Sequence, residues 1–357
     1  VIPNLLVLRV LRNPEVVISL SLADWDLLLR QARCSNLLAR IHSLLDEQDL
    51  IHRVPPKPRE HLEWIYVIAE RQIKAVHWEV TMIRKALAKV GPIILLKGAA
   101  YVMAKLPPAQ GRLFSDIDIM VPKDSLNEVE AALMLHGWST THHDTYDQRY
   151  YRKWMHELPP MRHIKRSSVI DVHHAILPET ATIHPSPDKL RASACSIDGY
   201  DDLMVFAPAD MVLHSAAHLF HESELDSGLR DLVDIDSLLH HFSNLPSFWI
   251  MLVERAKDLE LTRALFYSLH YATRILHTPI PPSTMEAIEI GRPNQLTLIF
   301  MDKLFTRALM PNHPSCSDWL TNTARRGLYV RGSWLRMPPL LLVRHLFHKA
   351  FISPKPD

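Results

Sequence analysis

Between residues 22 and 90 apolar side chains return every three or four positions. Trp25, Leu28, Leu29 and Ala32 mark one stripe and Leu37, Leu38, Ile41, Leu44 and Leu45 a second, the period of amphipathic helices. Pro55, Pro56 and Pro58 interrupt the pattern, and a long helix is then expected from near Arg59 to Val90, ended by Gly91-Pro92. After that the period changes. Ile93 to Leu96 is a short apolar run that reads as a buried strand, Gly98 to Leu106 has helix composition, and Pro107-Pro108 stops it. Ile117 to Val121 predicts a second strand, Asp124 to Leu135 a helix ending at Gly137, and the stretch from Tyr146 to Val172 strand-like runs, among them Met161 to Lys165 and Ser168 to His173. Pro178 to Ser196 reads as a linker or irregular segment. Helices are expected again over Ala209 to His221, Gly228 to Phe242, Phe248 to Lys257 and Leu261 to Leu276.

This succession predicts an α+β protein. Its expected parts are an N-terminal helical region (1–90), a small mixed β-sheet domain (91–180), a C-terminal helical region (181–300) and a basic tail (301–357). The most informative segment is Ser115-Asp116-Ile117-Asp118-Ile119-Met120-Val121. Strand side chains alternate faces, so Asp116 and Asp118 point one way while Ile117 and Ile119 point into a core. Two converging carboxylates are costly unless a positive charge lies between them, and a hard divalent cation such as Mg²⁺ answers that need with oxygen ligands. Asp24-x-Asp26 and Asp234-x-Asp236 share the spacing but lie in helical patterns, where residues two apart diverge. A third acid, Asp171, sits in the apolar run Ser168 to His173. Were that strand to neighbour the first, three acids would surround a site suited to metal-assisted phosphoryl transfer; the alternative is an edge-strand Asp paired with an arginine.

Composition narrows the classes. Of 357 residues, 47% are hydrophobic and 22% charged, which excludes a disordered or low-complexity chain. The formal net charge of +1 provides no global field for nucleic acid or anionic lipid. Nine glycines, with neither G-x-G-x-x-G nor a P-loop pattern among them, argue against a Rossmann or P-loop architecture. Three scattered cysteines supply no disulfide framework, no run reaches the length of a membrane span, and Arg9, Arg12 and Pro14 break the apolar N-terminus, so a cytoplasmic protein is expected.

Three segments together resemble a known family: Lys97-Gly98, then Arg112-x-x-Ser115-Asp116-Ile117-Asp118, then Ile170-Asp171-x-His173. They look like the nucleotidyltransferase superfamily with the polymerase beta-like fold, and most like its poorly characterised stand-alone bacterial branch. The resemblance covers about residues 85 to 270 and takes in the helix Leu229 to Ile235. It implies Asp116, Asp118 and Asp171 as metal ligands and catalytic acids, with Mg²⁺ or Mn²⁺ as cofactor. It also implies that the backbone at Gly98 approaches the phosphates of an NTP at a helix N-terminus, with Lys97, Ala99, Arg112 and Ser115 beside it. Superfamily members more often carry Gly-Gly or Gly-Ser where this chain has Gly98-Ala99, so Lys97 and Arg112 are candidates to replace the missing hydroxyl. His173, on the face of Asp171, is a candidate substrate contact.

The implied reaction moves a nucleoside monophosphate from an NTP, ATP in the first instance, to an acceptor hydroxyl with release of pyrophosphate. The acceptor is open: a protein, an RNA end, a sugar or another small molecule. The alternative is a non-catalytic nucleotide-binding or regulatory module on the same fold. His214, His218 and His221 form a histidine stripe on a predicted helix, read as packing beside the site rather than as a zinc site. Arg230, Asp231 and Asp234 are read as local helix pairs. In the tail, Arg325, Arg326, Arg331, Arg336, Arg344, Lys349 and Lys355 alternate with apolar residues. That pattern suits either a weak membrane-surface or RNA contact or a helix packed on the body.

Overall fold

In the computed structural model, which describes residues 5–141, 144–221, 223, 225–338 and 342–343, four helices precede the first strand: α1 (Leu6–Arg12), α2 (Leu22–Cys34), α3 (Leu38–Glu47) and α4 (Pro56–Ala86). Ser21 caps α2 by accepting a hydrogen bond from the Asp24 amide at 3.2 Å, and the Asp24 carboxylate accepts one from the Ser21 amide at 3.1 Å. Asp26 instead pairs with Arg30 one turn on. The two acids of this D-x-D therefore diverge, as helical geometry requires. Prolines open α4, where a missing N–H leaves no intrahelical bond unmade.

The strands follow in the order β1 (Ile93–Leu95), β2 (Asp116–Met120), β3 (Trp138–Thr140), β4 (Met161–His163), β5 (Val169–His173), β6 (Cys195–Ser196) and β7 (Leu203–Val205). Between them lie α5 (Lys97–Met103), α6 (Leu126–Leu135), α7 (Thr145–Trp154) and α8 (Pro187–Ala192). All seven strands join one mixed sheet, ordered β3-β4-β5-β2-β1-β7-β6. Its centre is β2, antiparallel to β1 and parallel to β5, with Asp118 opposite Asp171 and Ile117 opposite Ile170. Ile117, Ile119, Ile170 and Val172 are buried on the face opposite the acids. A one-residue slip in this pairing would exchange core and carboxylates, so burial itself fixes the register.

Two parts differ from the expectation. Thr145–Trp154 is a helix rather than strand, and its aromatic residues recur at helical spacing: Tyr146 and Tyr150 both set ring edges against Trp154. The segment 178–196 is also more ordered than a linker, since it contains α8 and β6, and β7 beyond it pairs in parallel with β1. The sheet thus continues past residue 180 to Val205.

Helix α4 backs onto this sheet through polar ties as well as apolar contact. Gln72 accepts a 2.8 Å hydrogen bond from the Phe114 amide, two residues ahead of β2, and Arg166 donates to both Glu79 oxygens at 2.7 and 3.0 Å. The loop after α5 meets α3 still more closely. Gly111 has φ +62°, and a Cβ there would lie 2.4 Å from the Ala39 carbonyl oxygen. Arg40, next along α3, donates to the carbonyls of Pro107 and Pro108 at 2.8 and 2.6 Å. Gly111→Ala should destabilise the protein by about 1 to 3 kcal/mol through overpacking and an unfavourable φ. A downward shift of the urea midpoint checks this; an unchanged midpoint would show that the loop gives way freely.

The remaining helices are α9 (Pro208–His221), α10 (Gly228–Phe242), α11 (Phe248–Asp258), α12 (Thr262–Tyr271), α13 (Pro282–Ala287), α14 (Gln295–Ala308) and α15 (Thr321–Arg336). Phe220, Tyr267, Tyr271 and Phe305 form an aromatic cluster among them. Arg331 of α15 lies over the rings of Tyr267 and Phe305 and donates to the Phe220 carbonyl at 2.8 Å. Arg325 likewise donates to Asn312 and to the Met310 carbonyl. These arginines of the basic segment tie α15 to the body; Arg344, Lys349 and Lys355 lie outside the described residues. No helix among the described residues is long and apolar enough to cross a membrane.

Candidate active site

A cavity of about 290 Å³ opens where β2 and β5 meet α5, α9 and α10. Its floor is acidic. One carboxylate oxygen from each of Asp116, Asp118 and Asp171 lies within 4.8 Å of the others, close enough for a single ion. The arrangement follows from the sheet: parallel pairing puts Asp171 beside Asp118, and the two-residue repeat puts Asp116 on the same face. The second D-x-D does nothing of the kind. Asp234 turns toward Arg112 and Arg40, whereas Asp236 accepts from Thr278 and pairs with His240.

The acids have different electrostatic surroundings. Burial, then the Asp118 carboxylate, then Glu157 push Asp171 up to about 8. Asp116 is raised by burial and by Asp118, with its Ser115 hydrogen bond opposing. Burial also disfavours charge on Asp118, yet Lys97 and the hydrogen bond from His173 outweigh it and hold this carboxyl well below the usual range. Asp171 Oδ1 is buried without a hydrogen-bond partner among the described residues. A naked carboxylate oxygen facing two further acids is the donor set that a hard divalent cation fits.

His173 Nε2 donates to Asp118 Oδ1 at 3.2 Å, while Nδ1 faces Glu157 Oε2 at 3.4 Å. Burial works against charge on this imidazole, but Asp118 and then Glu157 raise its pKa overall. Glu157 and His156 come from the irregular segment after α7, held beside β5 by a bridge between Glu157 and His173 and by the bond from the His174 amide to the His156 carbonyl at 2.8 Å. Burial, and next the neighbouring His173, depress His156 well below the ordinary histidine range.

Positive groups line the opposite side. Lys97, at the start of α5, takes φ +40°, a strained backbone for a residue with a side chain. Gly98 follows it, and a Cβ there would lie 2.9 Å from the Phe114 ring and 3.6 Å from Arg112 Nε. Arg112 is ion-paired with Asp234, and its Nε is buried without a hydrogen-bond partner among the described residues. Burial, followed by nearby Arg230, brings its pKa down to about 10, so the guanidinium stays cationic at neutral pH. Arg230 donates to Asp231 at 2.7 Å, and both line the cavity.

The structure therefore brings together eight of the nine residues singled out from sequence: Asp116, Asp118, Asp171, His173, Lys97, Gly98, Arg112 and Ser115 all line this cavity. Ala99 does not. It is 1% exposed and packs in the core, so its side chain offers the cavity nothing. Of the histidine stripe, only His218 lines the cavity; His214 packs against Phe206, and His221 contacts the Ala217 carbonyl. Sequence reasoning missed His156 and Glu157, which no periodic pattern frames. It also took Asp234 for a local helix partner, although its partners Arg112 and Arg40 are remote in sequence.

No curated protein and no solved structure matches the chain. A family model described as an uncharacterised nucleotidyltransferase matches residues 21–277. That span runs from the start of α2 through the whole sheet and α9 to α12, well over half of the chain, and on it the chain belongs to this nucleotidyltransferase family.

Proposed function

We propose that the protein moves a nucleoside monophosphate from an NTP, with ATP the first candidate, to an acceptor hydroxyl, and that Asp116, Asp118 and Asp171 hold the divalent cation the reaction needs. The observation that carries this reading is the three-carboxylate group, together with the buried Asp171 Oδ1 that has no partner among the described residues. When bound, Mg²⁺ or Mn²⁺ there supplies charge neutralisation for the phosphates and for the attacking oxygen. The chain's own residues do the positioning. Lys97 precedes Gly98, and the missing Cβ at Gly98 makes room for the Phe114 ring and lets Arg112 Nε come close, so that both cations can meet the phosphates together. Ser115 bonds Asp116 at 3.0 Å and orients its carboxylate. The acceptor oxygen forms its bond to the α-phosphorus as the bond to the bridging oxygen breaks; pyrophosphate leaves, and the hydroxyl proton goes to Asp171.

Wild-type protein given α-³²P nucleotides and Mg²⁺ in a cell lysate should label a component that Asp116→Asn leaves unlabelled. Binding of Mg-ATP by calorimetry without any labelling would favour the non-catalytic module. Asp171→Asn separates two roles for that acid. As the proton acceptor it should lose about 10²- to 10⁴-fold in rate while keeping nucleotide affinity. A collapse of affinity as well would make it chiefly a metal ligand.

A further inference from the structure

Beside the aspartates, and distinct from them, lies a second group with metal-ligand chemistry. One ring nitrogen each of His156 and His173 and a carboxylate oxygen of Glu157 lie within 4.8 Å of one another. We propose that His156, Glu157 and His173 form a separate centre for a borderline first-row ion such as Zn²⁺, with its fourth position open to the cavity that all three line.

Four observations carry the assignment. The donor set is two imidazoles and one carboxylate, which selects a nitrogen-accepting ion over Mg²⁺ and matches three-ligand zinc sites that keep one position free. The spacing fits too. Ligand atoms about 2.0 to 2.1 Å from a tetrahedral ion stand about 3.3 to 3.4 Å apart, and His173 Nδ1 lies 3.4 Å from Glu157 Oε2. His156 is 8% exposed, and its Nδ1 is buried with no hydrogen-bond partner among the described residues, a costly state that coordination through that nitrogen would relieve. Finally, His173 already has the outer support typical of a metal-bound histidine, because its other nitrogen donates to Asp118 at 3.2 Å.

An ion on Nδ1 would fix the proton on Nε2 and thereby hold Asp118 in place. The proposal stands whether or not the protein transfers nucleotides. His156 and Glu157 lie on the segment after α7 and Asp118 on β2, so variants on the two elements test the centre from different sides.

Protein purified without chelators is analysed for metal by mass spectrometry, then reconstituted with Co²⁺ in excess Mg²⁺ and read by its visible d–d bands. Wild type should retain a single equivalent of zinc and show the bands. His156→Ala and Glu157→Gln should lose both. Asp116→Asn, Asp171→Asn and the surface control His136→Ala should keep both. Asp118→Asn, which removes only the outer support of His173, should weaken zinc by about 10- to 100-fold. Circular dichroism confirms folding of each variant, and Glu157→Gln carries the test should His156→Ala not fold. Zinc missing from folded wild type, zinc retained by folded His156→Ala and Glu157→Gln, or zinc lost on Asp116→Asn instead would each overturn the proposal.

Discussion

Asp116→Asn and Asp118→Asn should each abolish nucleotide turnover and leave the fold intact. Both side chains project from the face of β2 opposite the packed Ile117 and Ile119, so removing a charge there disturbs no apolar contact. The electrostatics point the same way. Each amide relieves the crowding of like charges that raises Asp171, so Asp116→Asn should not unfold earlier than wild type in urea, whereas Asp118→Asn, which gives up a charge favoured by Lys97 and His173, should lose some stability while still folding. What disappears is a proposed cation ligand and, with Asp118, the acceptor of the His173 hydrogen bond. Pyrophosphate release measured against all four NTPs, with Mg²⁺ and then Mn²⁺, is the check. Wild-type release by either variant would refute the assignment of these acids, and family membership would then have to be reconciled with a different centre.

The largest stability effect is expected at Asp234→Asn. Asp234 is 4% exposed and faces two arginines, the ion-paired Arg112 and Arg40 at 3.6 Å. Without its charge two buried guanidinium groups confront each other with less compensation. Breaking a buried pair from one side typically costs about 3 to 5 kcal/mol. Denaturant unfolding should show a loss in that range, and pairing Asp234→Leu with Arg112→Met should recover much of it by removing both partners together. A loss below about 1 kcal/mol would place this pair with solvated surface pairs. The same pair would link stability to the phosphate contact proposed for Arg112, whose Nε lies next to Gly98.

How far the sequence discloses this molecule depends on whether a feature is periodic. The buried runs of β1, β2 and β5 are legible because short apolar stretches bounded by turn residues, with acids alternating into two of them, fit a strand and little else. The acids on β2 and β5 stand out against that background for the same reason. Thr145–Trp154 reads as strand because its Tyr and Trp residues favour strands, while their four-residue spacing, which packs Tyr150 on Trp154, is the helical signal. Strands β6 and β7, two and three residues long, are too short to show any period. The site divides along the same line. Lys97, Gly98, Arg112 and Asp171 fall within short contiguous patterns, whereas Glu157 reaches the site only through a tertiary bridge to His173. Arg112 and Asp234 meet through the packing of α10 near the loop after α5, and nothing in either segment alone announces the partner.

The order of strands in the sheet bears on how the protein can be made. Strand β1 emerges from the ribosome well before β7, its partner on one side, which lies more than a hundred residues later in the chain. Until residue 205 has been synthesised, Ile93–Leu95 presents an apolar row of unpaired backbone groups, the kind of open edge that recruits other chains. Fragments designed from the sequence boundary near residue 180 would keep that edge bare permanently. A fragment meant to keep the carboxylate cavity therefore has to extend beyond β7 and through α9 and α10, which wall it.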